Sequence, residues 1–302
     1  MKTVLEKKIV PYTSLKFLRT LHFFTTRLFG TGFGVASKLL MPLVRTKDME
    51  LQYGDGSKFT FKLNDGYWNR LAIKDYVYEQ EIEYFLHKVR IIDYIFLDCG
   101  ANYGYWSVLV SSELLGSKEV IAIEASPTTY DLLSKNCRVN DSRFIILNNA
   151  LASESGRKFF IDSSENHAAA SVQDVASTRS NVVESSTLDH IYGKYAKDRK
   201  LPVIIKLDVE GQEINALVGA KELVENDVLI VYEDHAQDAG HTVTSFVLSE
   251  LKMSVFYIDE NNDIVEIMQT EMLGKIKIIE TKGYNFFACK KDSCFMSYLS
   301  GV

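Results

Sequence analysis

The sequence predicts an α/β fold in which a doubly wound, mainly parallel sheet is covered by helices on both faces. Two observations carry that expectation. From residue 91 onward, short apolar runs alternate with stretches of helical periodicity, the pattern of strand–helix–strand units. The runs are continuously apolar, as strands buried on both faces require. At 302 residues and 46% apolar content, the chain can bury a large core without a metal or disulfide staple. The four cysteines (Cys99, Cys137, Cys289, Cys294) are scattered with no CxxC pair, which excludes a zinc ribbon and fits a reducing cytoplasm.

The first 48 residues read as a basic amphipathic arm. Residues 1–47 hold nine Lys/Arg against the single acid Glu6, whereas the rest holds 25 bases against 39 acids. Arg19, Arg27 and Lys38 interrupt the apolar stretches, so neither a spanning helix nor a signal peptide is expected. Phe17, Leu18, Phe23, Phe24, Leu28 and Phe29 lie among those bases. The arm then reads either as a peripheral contact with an anionic membrane or as a helix packed on the domain. The acidic remainder repels nucleic acid phosphates, so no nucleic acid partner is expected.

Residues 49–90 form a hairpin and helix preceding the core. The alternation over 49–63 around Asp55-Gly56 is a hairpin signal, and 69–89 has helical spacing. The apolar runs over 91–302 are 91–97, 120–123, 144–147, 203–207, 228–231, 255–258 and 286–289. Helical patterns fall at 104–115, 127–138, 212–225 and 241–251. An antiparallel pair is expected at one sheet edge. The polar stretch 162–186 reads as a loop or irregular excursion, a place where substrate contacts are common.

Ligands of such sheets bind at the carboxyl ends of the strands. The first run ends Asp98-Cys-Gly100-Ala-Asn102-Tyr-Gly104, whose glycines let backbone approach a ligand before a helix N-terminus. A dinucleotide turn needs a glycine where Asn102 stands, so a diphosphate fits poorly. A ligand carrying a carboxylate, an amine and a sugar, such as S-adenosylmethionine, fits better. Asp98 would accept from the amine, with Asn102 and the Gly100 backbone facing the amino acid moiety. Glu124, at the end of the second run and 20 residues past Gly104, is placed to accept from a ribose diol. Asn148-Asn149-Ala150 would flank the base.

The fourth run reads Lys206-Leu-Asp208-Val-Glu210-Gly-Gln-Glu213. Asp208 or Glu210 is suited to take a proton from a hydroxyl, or to bind a divalent cation, although no metal site is assigned. Glu213 falls where an acid caps the next helix. His235 follows the fifth run and is a further candidate base.

Taken together and in this order, Asp98-Cys-Gly-Ala-Asn-Tyr-Gly, Glu124-Ala125-Ser-Pro, Asn149-Ala150, Thr187-Leu-Asp189, Lys206-Leu-Asp-Val-Glu-Gly-Gln-Glu213 and Gly219-Ala220 resemble the FkbM-type methyltransferases, a branch of the class I S-adenosylmethionine-dependent enzymes. The resemblance spans roughly residues 78–291. It implies a Rossmann-like, seven-stranded sheet with the last strand antiparallel. It also implies O-methylation of a sugar, glycan or natural-product hydroxyl. The cofactor site would comprise Asp98, Gly100, Asn102, Gly104, Glu124, Ala125, Asn149, Ala150 and Asp208. The catalytic set would be Glu210, His235 and Asp208. Tyr78-Glu79-Gln80-Glu81 resembles an acidic stretch of the family without an assigned role. Two alternatives stand beside it: a nicotinamide-dependent oxidoreductase, which lacks its glycine pattern here, and a non-catalytic scaffold, against which the acids at the strand ends argue.

Overall fold

The computed structural model describes residues 7–10, 48–62, 65–72, 76–162, 172–173, 180–196, 200–279 and 282–300. Lys7–Val10 (β1), Asp48–Tyr53 (β2) and Lys58–Lys62 (β3) make an antiparallel sheet in which β2 is central. The hairpin turns at Gly56, whose φ of 86° is left-handed, and Asp55 holds the turn by accepting from the Ser57 N–H. Residues 7–10 of the basic arm therefore belong to a sheet. The remainder of the arm lies outside the described residues.

The helix expected over 69–89 is divided. A short 3₁₀ turn spans Trp68–Ala72, and α1 runs from Gln80 to Val89. Glu79 sits between them in the left-handed region (φ 45°), where a helix cannot continue.

The main sheet alternates with helices as expected. In chain order come β4 (Ile95–Cys99), α2 (Tyr105–Val110), β5 (Glu119–Ile123), α3 (Pro127–Val139) and β6 (Ile145–Leu147). A small second sheet follows, of β7 (Ala150–Leu151), β8 (Lys158–Asp162), β9 (Val172–Gln173) and β10 (Ser180–Ser186). The chain then returns through α4 (Leu188–Tyr195), β11 (Val203–Leu207), α5 (Glu213–Val218), β12 (Val228–His235) and α6 (Thr242–Ser249). It ends with β13 (Ser254–Ile258), β14 (Ile264–Ile267) and β15 (Gly283–Cys289).

Among the described residues the main sheet has the order β14-β13-β15-β12-β11-β4-β5-β6. The five strands from β12 to β6 are parallel. The seven expected strands are joined by an eighth, β14, which forms an antiparallel edge pair with β13. The last strand, β15, is antiparallel too, but it is inserted between β12 and β13 rather than lying at the edge.

Successive strand residues feed two cores on opposite faces. Phe96 and Ile204 pack with Phe85, Leu109 and Leu133 of α1, α2 and α3. Ile95, Leu97, Val203 and Ile205 pack with Ile191, Leu217 and Val247 of α4, α5 and α6. The hairpin joins the first core through Met49, Leu51, Phe59 and Phe61. Its docking is also polar, because the Asn136 amide of α3 pairs with both the N–H and the C=O of Thr60.

The 162–186 excursion contains β10 rather than only loop. Its inward Val183 joins Ala150, Phe159 and Ile161 in a small core, too few apolar residues to announce a strand in the sequence. Among the described residues, no helix is long and apolar enough to cross a membrane.

Candidate active site

The register of the parallel strands sets the site. Asp98, Lys206, Val231 and Ala122 stand in one row across β4, β11, β12 and β5. One residue beyond the strand ends come Gly100 after β4, Glu124 after β5 and Asp208 after β11, while β12 runs on through Glu233. Because β4 lies between β5 and β11, Gly100 follows the strand between those that lead to Glu124 and Asp208.

Gly100 is there because nothing larger fits. Its φ is 77°, and a Cβ would lie 1.7 Å from the Asp208 carbonyl oxygen. The turn it begins closes onto β5. The Gly100 and Ala101 N–H groups both donate to the Ile123 carbonyl at 2.9 Å, and the Asn102 N–H donates to Glu124 Oε2 at 2.9 Å. Glu124 Oε1 accepts from the Ser126 N–H at 2.9 Å. Each carboxylate oxygen thus holds one backbone donor and keeps further acceptor capacity. Burial pushes this carboxyl up to about 7, against the lowering effect of those two donors.

These groups open onto a cleft at the carboxyl ends of the strands. Asp98, Gly100, Asn102 and Glu124 line it, as do Ala125 and Asn149 on the β5–β6 side and Asp208 and Glu210 on the β11 side. Asn102 turns its Oδ1 to the Trp68 indole N–H (3.0 Å), and Asp98 accepts from the Ser107 hydroxyl (2.5 Å). Gly104 and Ala150 are not lining residues. Gly104 begins α2 with φ 83°, packed so that a Cβ would meet Leu133, and Ala150 is buried in the small second core.

The β11 end concentrates charge. Lys206, 3% exposed, donates to Asp208 Oδ2 at 3.0 Å. Burial works to discharge its ammonium, yet the negative charges of Asp208, Glu79 and Asp98 hold its pKa well above the usual lysine value. Glu210 follows in the left-handed region (φ 51°), a strained position of the kind found at functional sites. Burial, and then the Asp208 charge, push it up to about 7. Glu213 accepts from the Val209 and Gly211 N–H groups at 3.2 and 3.1 Å, so it holds the turn that presents Glu210.

The expected base His235 does not line the cleft. β12 extends to His235 because β15 pairs with it as far as Gly283, which carries the imidazole past the cleft. Its side chain is 47% exposed, with Glu233 at 3.5 Å. Glu233 is the strand-end acid nearer Asp208, and burial followed by the charges of Asp208 and Glu79 raises its pKa. It occupies room left by Gly283, where a Cβ would overlap its carboxylate.

Sequence reasoning also missed an aromatic wall. Tyr67, Trp68 and Tyr78 come from the segment before β4, and Trp68 and Tyr78 pack against Tyr105 and Trp106 of α2 along the same cleft. The Tyr67 and Tyr78 hydroxyls are 2.7 Å apart, and Trp106 donates its indole N–H to Glu79 at 2.5 Å. The signal was composition: the chain has two tryptophans, and both line this cleft. Among the described residues no group of three or more His, Cys, Asp or Glu is arranged to hold a metal ion.

A doubly wound sheet with a glycine turn on its first strand and acids on its neighbours defines a Rossmann-like α/β enzyme with a small-molecule cleft at the strand ends. The family model of the methyltransferase FkbM domain matches residues 98–270, more than half of the sequence, and the chain belongs to that family. It is 28% identical over 212 residues to the hexuronic acid methyltransferase AglP of Haloferax volcanii, covering 70% of this chain and 83% of that one. Among solved structures, the methyltransferase FkbM of Methylobacillus flagellatus aligns with a TM-score of 0.42 and 16% identity over 65% of this chain. The match spans less than half of that protein, 43%. An O-methyltransferase of Bacillus cereus in complex with SAH aligns with a TM-score of 0.42 and 11% identity, over 91% of this chain and 100% of that one.

Proposed function

We propose that the protein is an S-adenosylmethionine-dependent O-methyltransferase acting on a hydroxyl of a sugar, glycan or related natural product. The observation that carries this reading is Glu124, a buried carboxylate just past the end of β5, the strand beside the one that leads into the glycine turn, with acceptor capacity left for two ribose hydroxyls. The groups around it fit the cofactor: Asp98 and the Gly100–Asn102 turn lie toward the amino acid part, and Ala125 and Asn149 toward the base. The sugar acceptor is supported by the relative named as a hexuronic acid methyltransferase.

Bound S-adenosylmethionine supplies a methyl group already made electrophilic by its sulfonium. The protein's tasks are then positioning and proton removal. Glu210 takes the proton of the acceptor hydroxyl, and a pKa of about 7 leaves a usable fraction of the base form at neutral pH. Asp208 faces both halves of the cleft, held in place by Lys206. Ordering the acceptor oxygen toward the methyl contributes several kcal/mol of barrier reduction. Incubation with labelled S-adenosylmethionine and a panel of glycans tests the reading. Transfer of label to an acceptor oxygen is expected, and transfer to nitrogen or carbon contradicts it.

We further propose that the reaction occurs in the cytoplasm, with residues 11–47 as a peripheral contact to an anionic membrane face, since residues 7–10 belong to the sheet. The six Lys/Arg and no acids of 11–47 support this. Co-sedimentation with anionic liposomes at low salt, lost at about 1 M salt, is the expected result.

A further inference from the structure

The charge of the cleft bears on which sugar it accepts, an inference that rests on reading the cleft as a methyl-transfer site. We propose that the acceptor ring carries an ammonium or no charge beside the reacting hydroxyl, so that an amino sugar is bound in preference to a uronic acid.

Among the described residues lining the cleft, the basic side chain is Lys206, and it is already engaged. It is buried, donates to Asp208 at 3.0 Å and is faced by Asp98 and Glu79 as well. Asp98, Glu124, Asp208 and Glu210 line the cleft against that one cation, and Glu233 stands near the end of β12, the neighbour of β11. Glu210 is half-buried, and the Glu233 side chain is 22% exposed. Burial, and then the charge of Asp208, pushes both carboxyls upward. A carboxylate on the incoming ring adds another like charge in partly desolvated surroundings. An ammonium relieves the repulsion already present.

The aromatic wall independently favours the same guest. Tyr67, 36% exposed, lies with its ring 5.0 Å from Trp68 and 5.9 Å from Tyr78, centre to centre. Its hydroxyl feels the charges of Glu79 and Asp208. Aromatic faces beside carboxylates are the combination that recognises organic cations, and they also accept the apolar face of a sugar ring. The relative from Haloferax volcanii is named for a hexuronic acid, and 28% identity establishes kinship without fixing the ring's charge.

The test uses the full chain saturated with S-adenosylhomocysteine, which lacks the sulfonium charge and so leaves the acceptor end to be read alone. The methyl glycosides of glucosamine, glucose and glucuronate are titrated at neutral pH. Trp68 and Trp106 fluorescence is the readout, because both tryptophans line the cleft. The expected order of affinity is glucosamine, glucose, glucuronate, with at least about tenfold between the extremes. Glu210→Gln should narrow that interval, and thermal unfolding close to the parent's would show that the fold is intact. Glucuronate bound as tightly as glucosamine, or no response to any of the three, overturns the proposal. If calorimetry shows that S-adenosylhomocysteine itself does not bind, the methyl-transfer reading falls and this inference falls with it. Tight S-adenosylhomocysteine binding with a uronate preference overturns this inference alone.

Discussion

Glu124 Oε2 accepts the backbone N–H of Asn102 at 2.9 Å, so the acid that ends β5 is also the pin that closes the glycine turn after β4. One carboxylate therefore shapes the turn and faces the ligand. Changing it has a structural cost that can be measured without any ligand.

In Glu124→Ala, the Asn102 and Ser126 N–H groups lose their acceptor near the cleft floor. Each buried donor left unpaired costs about 1–3 kcal/mol, less where water from the cleft replaces the carboxylate. Chemical denaturation should show a loss of about 2 kcal/mol; an unchanged midpoint would mean that the pin carries no load.

Gly100→Ala should be worse tolerated than any side-chain deletion in the cleft. The new Cβ meets backbone, the Asp208 carbonyl, and φ of 77° is unfavourable for alanine. A destabilisation above about 3 kcal/mol, or insoluble protein, is expected. A variant as stable as the parent would show that β4 and β11 do not approach this closely.

Stability should fall as pH rises through neutrality. Glu79, Glu124 and Glu210 all have folded-state values near 7 instead of 4.5, in each case chiefly through burial. Between those values the folded chain retains protons that the unfolded chain has released, so their contribution is most favourable below about 4.5 and is lost as pH rises through 7. His87, lowered from 6.5 by burial, acts in the opposite sense but is a single group. Urea denaturation at about pH 5 and about pH 8 reads the difference. Glu210→Gln should reduce it, and a variant with the full parental decline would contradict the assignment.

Glu210→Gln and His235→Ala should separate in turnover. Glu210 lines the cleft, whereas His235 lies past it on an extended β12. Loss of a general base costs about 10²–10⁴-fold. Glu210→Gln should fall in that range with cofactor affinity nearly intact, while His235→Ala stays within about threefold of the parent. The reverse ranking would return the proton transfer to the histidine.

What the sequence disclosed was what local pattern encodes. Apolar runs such as Val203–Leu207 and the spacing from Gly104 to Glu124 are written along the chain, and the strands follow from the first while the second sets Glu124 at a strand end. What it hid depends on distant partners. β12 continues to His235 only because β15 supplies Gly283 opposite, and this is why Glu233 rather than the histidine stands nearer Asp208. Tyr67 and Trp68 are ordinary aromatics until the hairpin segment docks on α3 and brings them over the glycine turn. The strand β10 is polar along most of its length, so its pairing with β8 left no periodicity to read.

The central claim is that this cleft binds the methyl donor through Glu124, and titration calorimetry with S-adenosylhomocysteine tests it most directly. The parent protein should bind one equivalent, and Glu124→Ala should bind it at least about tenfold more weakly, each lost charged hydrogen bond counting for about 1.5–3 kcal/mol. Absence of binding to the parent, or equal affinity in the variant, would contradict the account.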